Sequence, residues 1–204
     1  MSPVSVSRSL ALVLAGLLAA SCASRSTAPA TFELSAPPPA ATRAASTRAQ
    51  ILIAEPTATQ ALAGQQIVVR PTPQTIENLG GSQWSDDLPR LIQLRLLQAF
   101  QNTGRVGAVG VPGQGLAIDY QVVTELRRFE IVLSPTPVAV VEISVKALND
   151  RTGVVRSTRI FRSEQPVNGA AFGTEAGNAS FVGALDTAFG GVADEIVGWT
   201  INLL

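Results

Sequence analysis

Residues 116–133 read LAIDYQVVTELRRFEIVL, and this stretch decides the fold. Leu116, Ile118, Tyr120, Val122 and Leu126 hold even positions, and then Phe129, Ile131 and Leu133 hold odd ones. Alternation over such a length marks a strand with one buried face, whereas a helix would repeat at three and four residues. The change of phase around Arg127-Arg128 predicts a bulge or bend, since one extra residue keeps both apolar sets on the same side. Downstream, Val141, Ile143, Val145 and Ala147 alternate again, and Asn149-Asp150-Arg151-Thr152-Gly153 has hairpin-loop composition. Residues 154–167 are therefore expected to return antiparallel.

Upstream of that meander, Ile51-Leu52-Ile53 and Ile67-Val68-Val69 are short β-branched runs closed by Pro56 and Pro71, which predicts two more strands. Between Asp86 and Gln101 the period turns helical. Leu88, Leu91, Ile92, Leu96 and Phe100 form the stripe, Ser85, Asp86 or Asp87 offers an N-cap, and Gly104 ends it. Trp84 precedes the cap and is placed as a packing staple rather than a ligand-stacking platform. A second stripe runs from Phe181 through Leu185, Phe189, Val192, Ile196 and Trp199 to Leu203. Gly183, Gly190, Gly191 and Gly198 weaken that helix and would allow either close packing on the sheet or a kink at Gly190-Gly191. The expected fold class is α/β (α+β): a single domain over residues 50–204, with a mixed, largely antiparallel sheet of about five or six strands packed by two long helices. Thr31-Phe32-Glu33-Leu34 is a candidate additional strand.

The N-terminal residues have a different texture. Arg8 precedes an unbroken apolar run of eleven residues, Leu10 to Ala20. A spanning helix needs about 20 such residues, so the run fits the core of a secretory signal over residues 1–21. Ala19-Ala20-Ser21-Cys22 then resembles the bacterial lipoprotein signal, with Ala19 where Leu is commoner. That resemblance makes Cys22 the lipidation site, carrying palmitate-type acyl chains. The lone Cys suits this, because an unpaired thiol in an oxidising compartment is a liability unless capped. Ala23, rather than Asp, follows the Cys, and by the sorting rule of Gram-negative lipoproteins this favours the outer membrane. Residues 22–49, rich in Ala, Pro, Ser and Thr, are expected to form a tether.

Composition excludes several function classes. Fifteen basic and fifteen acidic residues cancel over 204 residues, so no basic surplus points to nucleic acid. The chain has no His and one Cys, which removes a Ser-His-Asp triad, a Cys-His pair and nearly all zinc sites. Asp86-Asp87 diverge on a helix and are expected to cap it. Glu125 and Glu130 flank Arg127-Arg128 at the strand bend, predicting a salt-bridged edge or a charged functional rim. Arg156 and Arg162 share a strand face by parity, and could meet an acidic partner or a phosphate, or protect an edge. Gly110 to Gly115 lacks the Lys of a phosphate loop and is expected to be a turn. A carboxylate hydrolase would need two of Asp119, Glu125, Glu130 and Glu142 to converge. No catalytic residue, metal or cofactor is expected.

The ordered set resembles a known family. A lipobox Cys22 is followed by Phe32-Glu33-Leu34 and by Ile67-Val68-Val69-Arg70-Pro71. Trp84-Ser85-Asp86-Asp87-Leu88-Pro89-Arg90-Leu91 opens the first helix, and Arg128-Phe129-Glu130 lies on the long strand. Val141-Glu142-Ile143-Ser144-Val145, Ala184-Leu185-Asp186-Thr187-Ala188-Phe189 and Ile196-Val197-Gly198-Trp199 complete it. Over residues 31–204 these look like the ABC-type transport auxiliary lipoprotein family, which accompanies MCE-type (mammalian cell entry) lipid transport systems. The resemblance implies a small α/β domain and a non-enzymatic lipoprotein held at the periplasmic face of the outer membrane. Its implied partners are a periplasmic MCE-domain protein with its inner-membrane permease and ATPase, the membrane itself, and phospholipid. An accessory lipoprotein of another envelope or secretion complex is the alternative. The paired charge suits a protein interface better than capture of anionic headgroups.

Overall fold

The long strand expected at 116–133 is β7, Tyr120–Val132, in a computed structural model that describes residues 28–36, 45–167 and 172–204. The signal segment, Cys22 and the 37–44 part of the tether lie outside the described residues. One side of β7 pairs antiparallel with β8 (Val138–Asn149), which in turn pairs antiparallel with β9 (Val155–Pro166). The register slips between Leu126, opposite Ile143, and Arg128, opposite Glu142, so Arg127 is the extra residue. This is the bulge that the phase change predicts, and it leaves Val122, Leu126, Phe129 and Ile131 all buried.

The other side of β7 is shared by three parallel strands in succession. Those are β2 (Gln50–Ile53), β3 (Thr57–Ala58) and β4 (Gln66–Thr72), the last two separated by a 3-10 turn at Gln60–Leu62. Residues 50–72 thus climb along β7 as one interrupted path. Beyond β4 come β5 (Thr75–Trp84), antiparallel, and β1 (Ala30–Phe32), parallel to β5; beyond β2 comes β6 (Ala108–Gly110), also parallel. The sheet is mixed and has nine strands. It exceeds five or six because β1, β3 and β6 are two or three residues long, too short to carry a periodic signal. β5 reads TIENLGGSQW, with two adjacent glycines and few β-formers, and it is recruited by pairing with β4.

Two helices cover one face. Helix α1, Leu88–Thr103, takes Asp87 as its N-cap residue, has Pro89 in its first turn, and ends at Gly104 with φ of 60°. Helix α2, Glu175–Leu203, starts earlier than its apolar stripe, because Thr174 Oγ1 accepts the Gly177 N–H at 3.0 Å. It is continuous through Gly190-Gly191, and a Cβ at Gly183 or Gly190 would meet open space. Gly183 and Gly190 therefore serve neither a break nor a close approach, whereas a Cβ at Gly191 would lie in ordinary contact with Ser163 of β9, at 3.8 Å.

The core lies between this face and the helices. Trp84 is fully buried, edge-on to Phe129 at 5.7 Å, and Phe129 meets Phe189 at 6.1 Å. Each such side chain contributes roughly 1.5–3 kcal/mol by burial, and no face of Trp84 is left for a ligand. The segment after β1 ties the helices together. Arg95 of α1 donates from Nε to the Leu34 carbonyl and from Nη2 to Glu33, and the Ser35 N–H donates to Asp186 of α2. Among the described residues no helix is long and apolar enough to cross a membrane.

Candidate functional site

The helices leave the opposite face of β4, β7, β8 and β9 open. Placing Phe129 in the core turns Arg128 and Glu130 to this open face, and the register continues the rows across the sheet. Val68, Glu130, Val140 and Glu164 make one row, and Arg128, Glu142 and Arg162 make the next. Glu130 is only 3% exposed. Arg70 donates to its Oε2 from Nε at 3.1 Å and from Nη2 at 2.9 Å, while Arg128 Nε reaches Oε1 at 2.6 Å. Burial pushes the Glu130 carboxyl up, but hydrogen bonds from Arg70 and Arg128, with their charges, outweigh it and hold the group below its ordinary value. Glu130 is therefore ionised at neutral pH. It is poised to hold arginines, not to donate a proton.

Further along the face, Arg162 Nη1 donates to Glu142 at 3.0 Å and its Nε to Glu164 at 3.1 Å. Arg127 pairs with Glu125 at 3.3 Å where both are exposed. Exposed Val155 and Ile160 add apolar area to this charged face. Beside the Arg70–Glu130–Arg128 group opens a cleft of about 420 Å³, also lined by Thr72, Val132 and Ser134.

Two other clefts lie by α2. One, of about 500 Å³, has Arg159, Asp194, Glu195 and Trp199 in its lining. Arg159 lies 4.9 Å over the Phe161 ring and 3.9 Å from Glu195, and burial raises the Asp194 carboxyl. The other, of about 330 Å³, is at the start of α2, where Asn178 Nδ2 donates to the Gly80 carbonyl and Ser82 Oγ.

The four acids weighed for hydrolysis are each committed elsewhere. Asp119 Oδ2 accepts the Gln50 N–H, Glu125 holds Arg127, Glu130 holds two arginines and Glu142 holds Arg162. Asp86 accepts the Asp87 N–H and pairs with Arg90 one turn on. Asp87 holds the N-cap position without a side-chain hydrogen bond to the first turn, so the two acids sit at the helix start but do not cap it through their carboxylates. The pairing of Arg156 with Arg162 needs correction. A register slip between Ala147 and Leu148 leaves Arg156 as an extra residue, so counting by twos fails there. Arg156 Nη1 lies 3.5 Å from Tyr120 Oη, far from the Glu142–Arg162–Glu164 group in register. Arg70 was not foreseen as part of the charged rim, because its partner lies 60 residues away.

Comparison with known proteins places this architecture. A family model described as ABC-type transport auxiliary lipoprotein component matches residues 32–197. An uncharacterised protein, bll6063, of Bradyrhizobium diazoefficiens is 28% identical over 173 residues. That match covers 84% of this chain and 44% of the relative, so the chain spans less than half of that protein's length. Among solved structures, protein XCC0632 from Xanthomonas campestris aligns with a TM-score of 0.77 at 24% identity, covering 85% of this chain and 95% of that one. The hypothetical protein CT253 from Chlamydia trachomatis aligns at 0.50 with 10% identity, covering 76% and 96%. Both structural likenesses are likenesses of fold.

Proposed function

Because the chain belongs to the family of ABC-type transport auxiliary lipoprotein components, we propose that it is the non-catalytic, lipid-anchored subunit of an MCE-type lipid transport system. In this reading residues 1–21 are removed as a signal, and acylated Cys22 holds the protein at the periplasmic face of the outer membrane. The folded domain then docks a periplasmic MCE-domain protein served by an inner-membrane permease and ATPase, and assists lipid passage between the membranes.

The observation that carries this reading is the extent of the family match, which takes in every strand from β2 to β9 and most of α2. Two geometric features support it. From Cys22 to Ala30, where β1 begins, is eight residue steps, a reach of at most about 28 Å at 3.3–3.6 Å each. The domain would stay close to the membrane surface. The open sheet face also neutralises most of its own charge through Glu130, Glu142 and Glu164 while exposing Ile160 at 50%, a mixture suited to a protein partner.

Co-purification from detergent-solubilised envelopes tests it, comparing wild type with Cys22→Ala and identifying captured proteins and lipids by mass spectrometry. The expected result is an MCE-domain protein with the wild type, and loss of membrane anchorage in the variant. Capture of a secretion channel instead would transfer the protein to the accessory role in another complex. A variant that stays anchored would remove Cys22 as the anchor.

A further inference from the structure

At one end of the open face, Arg70 from β4 and Arg128 from β7 close on the same carboxylate. Both oxygens of Glu130 are engaged, Oε2 by Arg70 and Oε1 by Arg128. Two guanidiniums against one carboxylate leave a surplus of one positive charge. That surplus is local to the cleft: Glu142 and Glu164 of the neighbouring rows balance the sheet face as a whole, but both pair with Arg162 and neither lines the cleft. The surplus is also fixed in place. Arg70 spends Nη1 on the Pro73 carbonyl at 3.1 Å, which pins the β4–β5 turn as one wall of the cleft. Arg128 uses its Nε and Nη2 on Glu130, and its Nη1 has no hydrogen bond to the described residues.

The remaining lining completes a donor-rich site. Thr72, whose Oγ1 also lies 2.8 Å from Thr75 Oγ1, and Ser134 bring hydroxyls, and Val132 brings an apolar patch. The only carboxylate present has both oxygens occupied, so what the cleft still offers is N–H and O–H. The two clefts by α2 have the opposite balance. Arg159 faces both Asp194 and Glu195 beside Trp199, and the cleft at Gly80 contains Glu175 with no cation.

From this we infer that the cleft formed by Arg70, Arg128 and Glu130 with Thr72 and Ser134 is an anion-binding site for a phosphate oxyanion. The phosphate is carried by a phospholipid headgroup or is free inorganic phosphate. A tetrahedral oxyanion presents several acceptors in different directions, matching the free Arg128 Nη1 and two hydroxyls, Thr72 at the end of β4 and Ser134 in the β7–β8 loop. A volume of about 420 Å³ leaves room for an esterified substituent beside the phosphate. Glu130 acts as the positioning residue, holding both arginines at the orientation the oxyanion meets. This inference stands on the cleft alone and is independent of the MCE partnership.

Calorimetric titration of the full acylated chain in dodecyl maltoside tests it, with inorganic phosphate and dihexanoylphosphatidylglycerol as separate probes. Saturable binding of at least one is expected. The headgroup binding alone names a lipid source, inorganic phosphate alone names the free ion, and both support the site. Arg128→Gln is expected to weaken binding about tenfold or more. Ser134 is exposed and outside the ion-pair network, so Ser134→Glu should abolish binding with the melting temperature unchanged. Lys146→Gln removes a cation from the same face outside the cleft and should shift affinity by less than about twofold. No saturable binding of either probe, or binding that Ser134→Glu leaves intact, overturns the assignment.

Discussion

The helix-covered face of β7 carries Val122, Leu126, Phe129 and Ile131, each at most 1% exposed. The open face of the same strand carries Glu125, Arg128 and Glu130, all three in ion pairs with residues on their own strand and Glu130 also with Arg70 on β4. One backbone therefore supports two kinds of order. On the covered side position alone matters, because any apolar side chain of the right size gains by burial. On the open side identity matters, because a buried carboxylate is tolerable only with its particular donors. The bulge at Arg127 joins the two, since it sets which residues belong to which face.

Deleting Arg127 should break that arrangement most severely. With the extra residue gone, one half of β7 must present Glu130 and Arg128 to the core or withdraw Phe129 and Ile131 from it. The expected loss exceeds the about 3–5 kcal/mol of a single Phe→Ala truncation, and the deletion should prevent folding. Arg127→Ala keeps the residue count and should cost less than about 1 kcal/mol, because its pair with Glu125 is exposed. Urea unfolding and circular dichroism of the two variants would separate count from chemistry. A deletion that melts like wild type would show that the bulge is dispensable.

The same contrast explains what could be read in advance. Alternation is a local property of the chain, so the meander β7–β8–β9, its bulge and both helices were legible from spacing alone. The pairing of Glu125 and Glu130 with Arg127 and Arg128 was legible too, because those partners are two residues apart. Arg70 was not, since parallel pairing of β4 with β7 brings Val68 beside Glu130 and no local pattern encodes that register. Strand β5 failed for a related reason: its Gly80-Gly81 and polar residues are held by neighbours, not by their own preference. The slip at Arg156 was hidden because a bulge without an apolar phase change leaves no trace in the hydrophobic pattern.

Replacing Glu130 with Gln sharpens the comparison on the open side. Gln keeps the shape but removes the charge facing two arginines, which are themselves a quarter or more exposed and so partly solvated. We expect a loss of about 1–3 kcal/mol at pH 7. The folded value of Glu130 is depressed, so its stabilisation is fully present above the ordinary carboxylate range near about pH 4.3. That contribution disappears as pH falls through the lower folded value. The gap between wild type and Glu130→Gln should therefore shrink on acidification to about pH 3. A gap that stays constant in urea titrations at the two pH values would mean that Glu130 acts by packing and not by charge.

Asp194 is the opposite kind of carboxylate, and it gives the smallest effect. It lies on α2 beside the Trp199 cleft, where burial raises its value and no compensating donor or cation enters as a cause. A raised folded value means the folded state resists the charged form. Any favourable contribution is then present at low pH and lost as pH rises through the folded value. Asp194→Asn is neutral throughout, so it should stabilise the protein at pH 7 and lose that advantage near about pH 3. The group is half-buried and partly screened by solvent, so the gain should stay below about 0.5 kcal/mol, seen as a small rise in Tm at pH 7. Destabilisation at pH 7 would instead mean that Arg159, the cation in that cleft, already compensates Asp194 as the two arginines compensate Glu130. The distinction between a carboxylate held by its donors and one merely carried by its helix would then collapse.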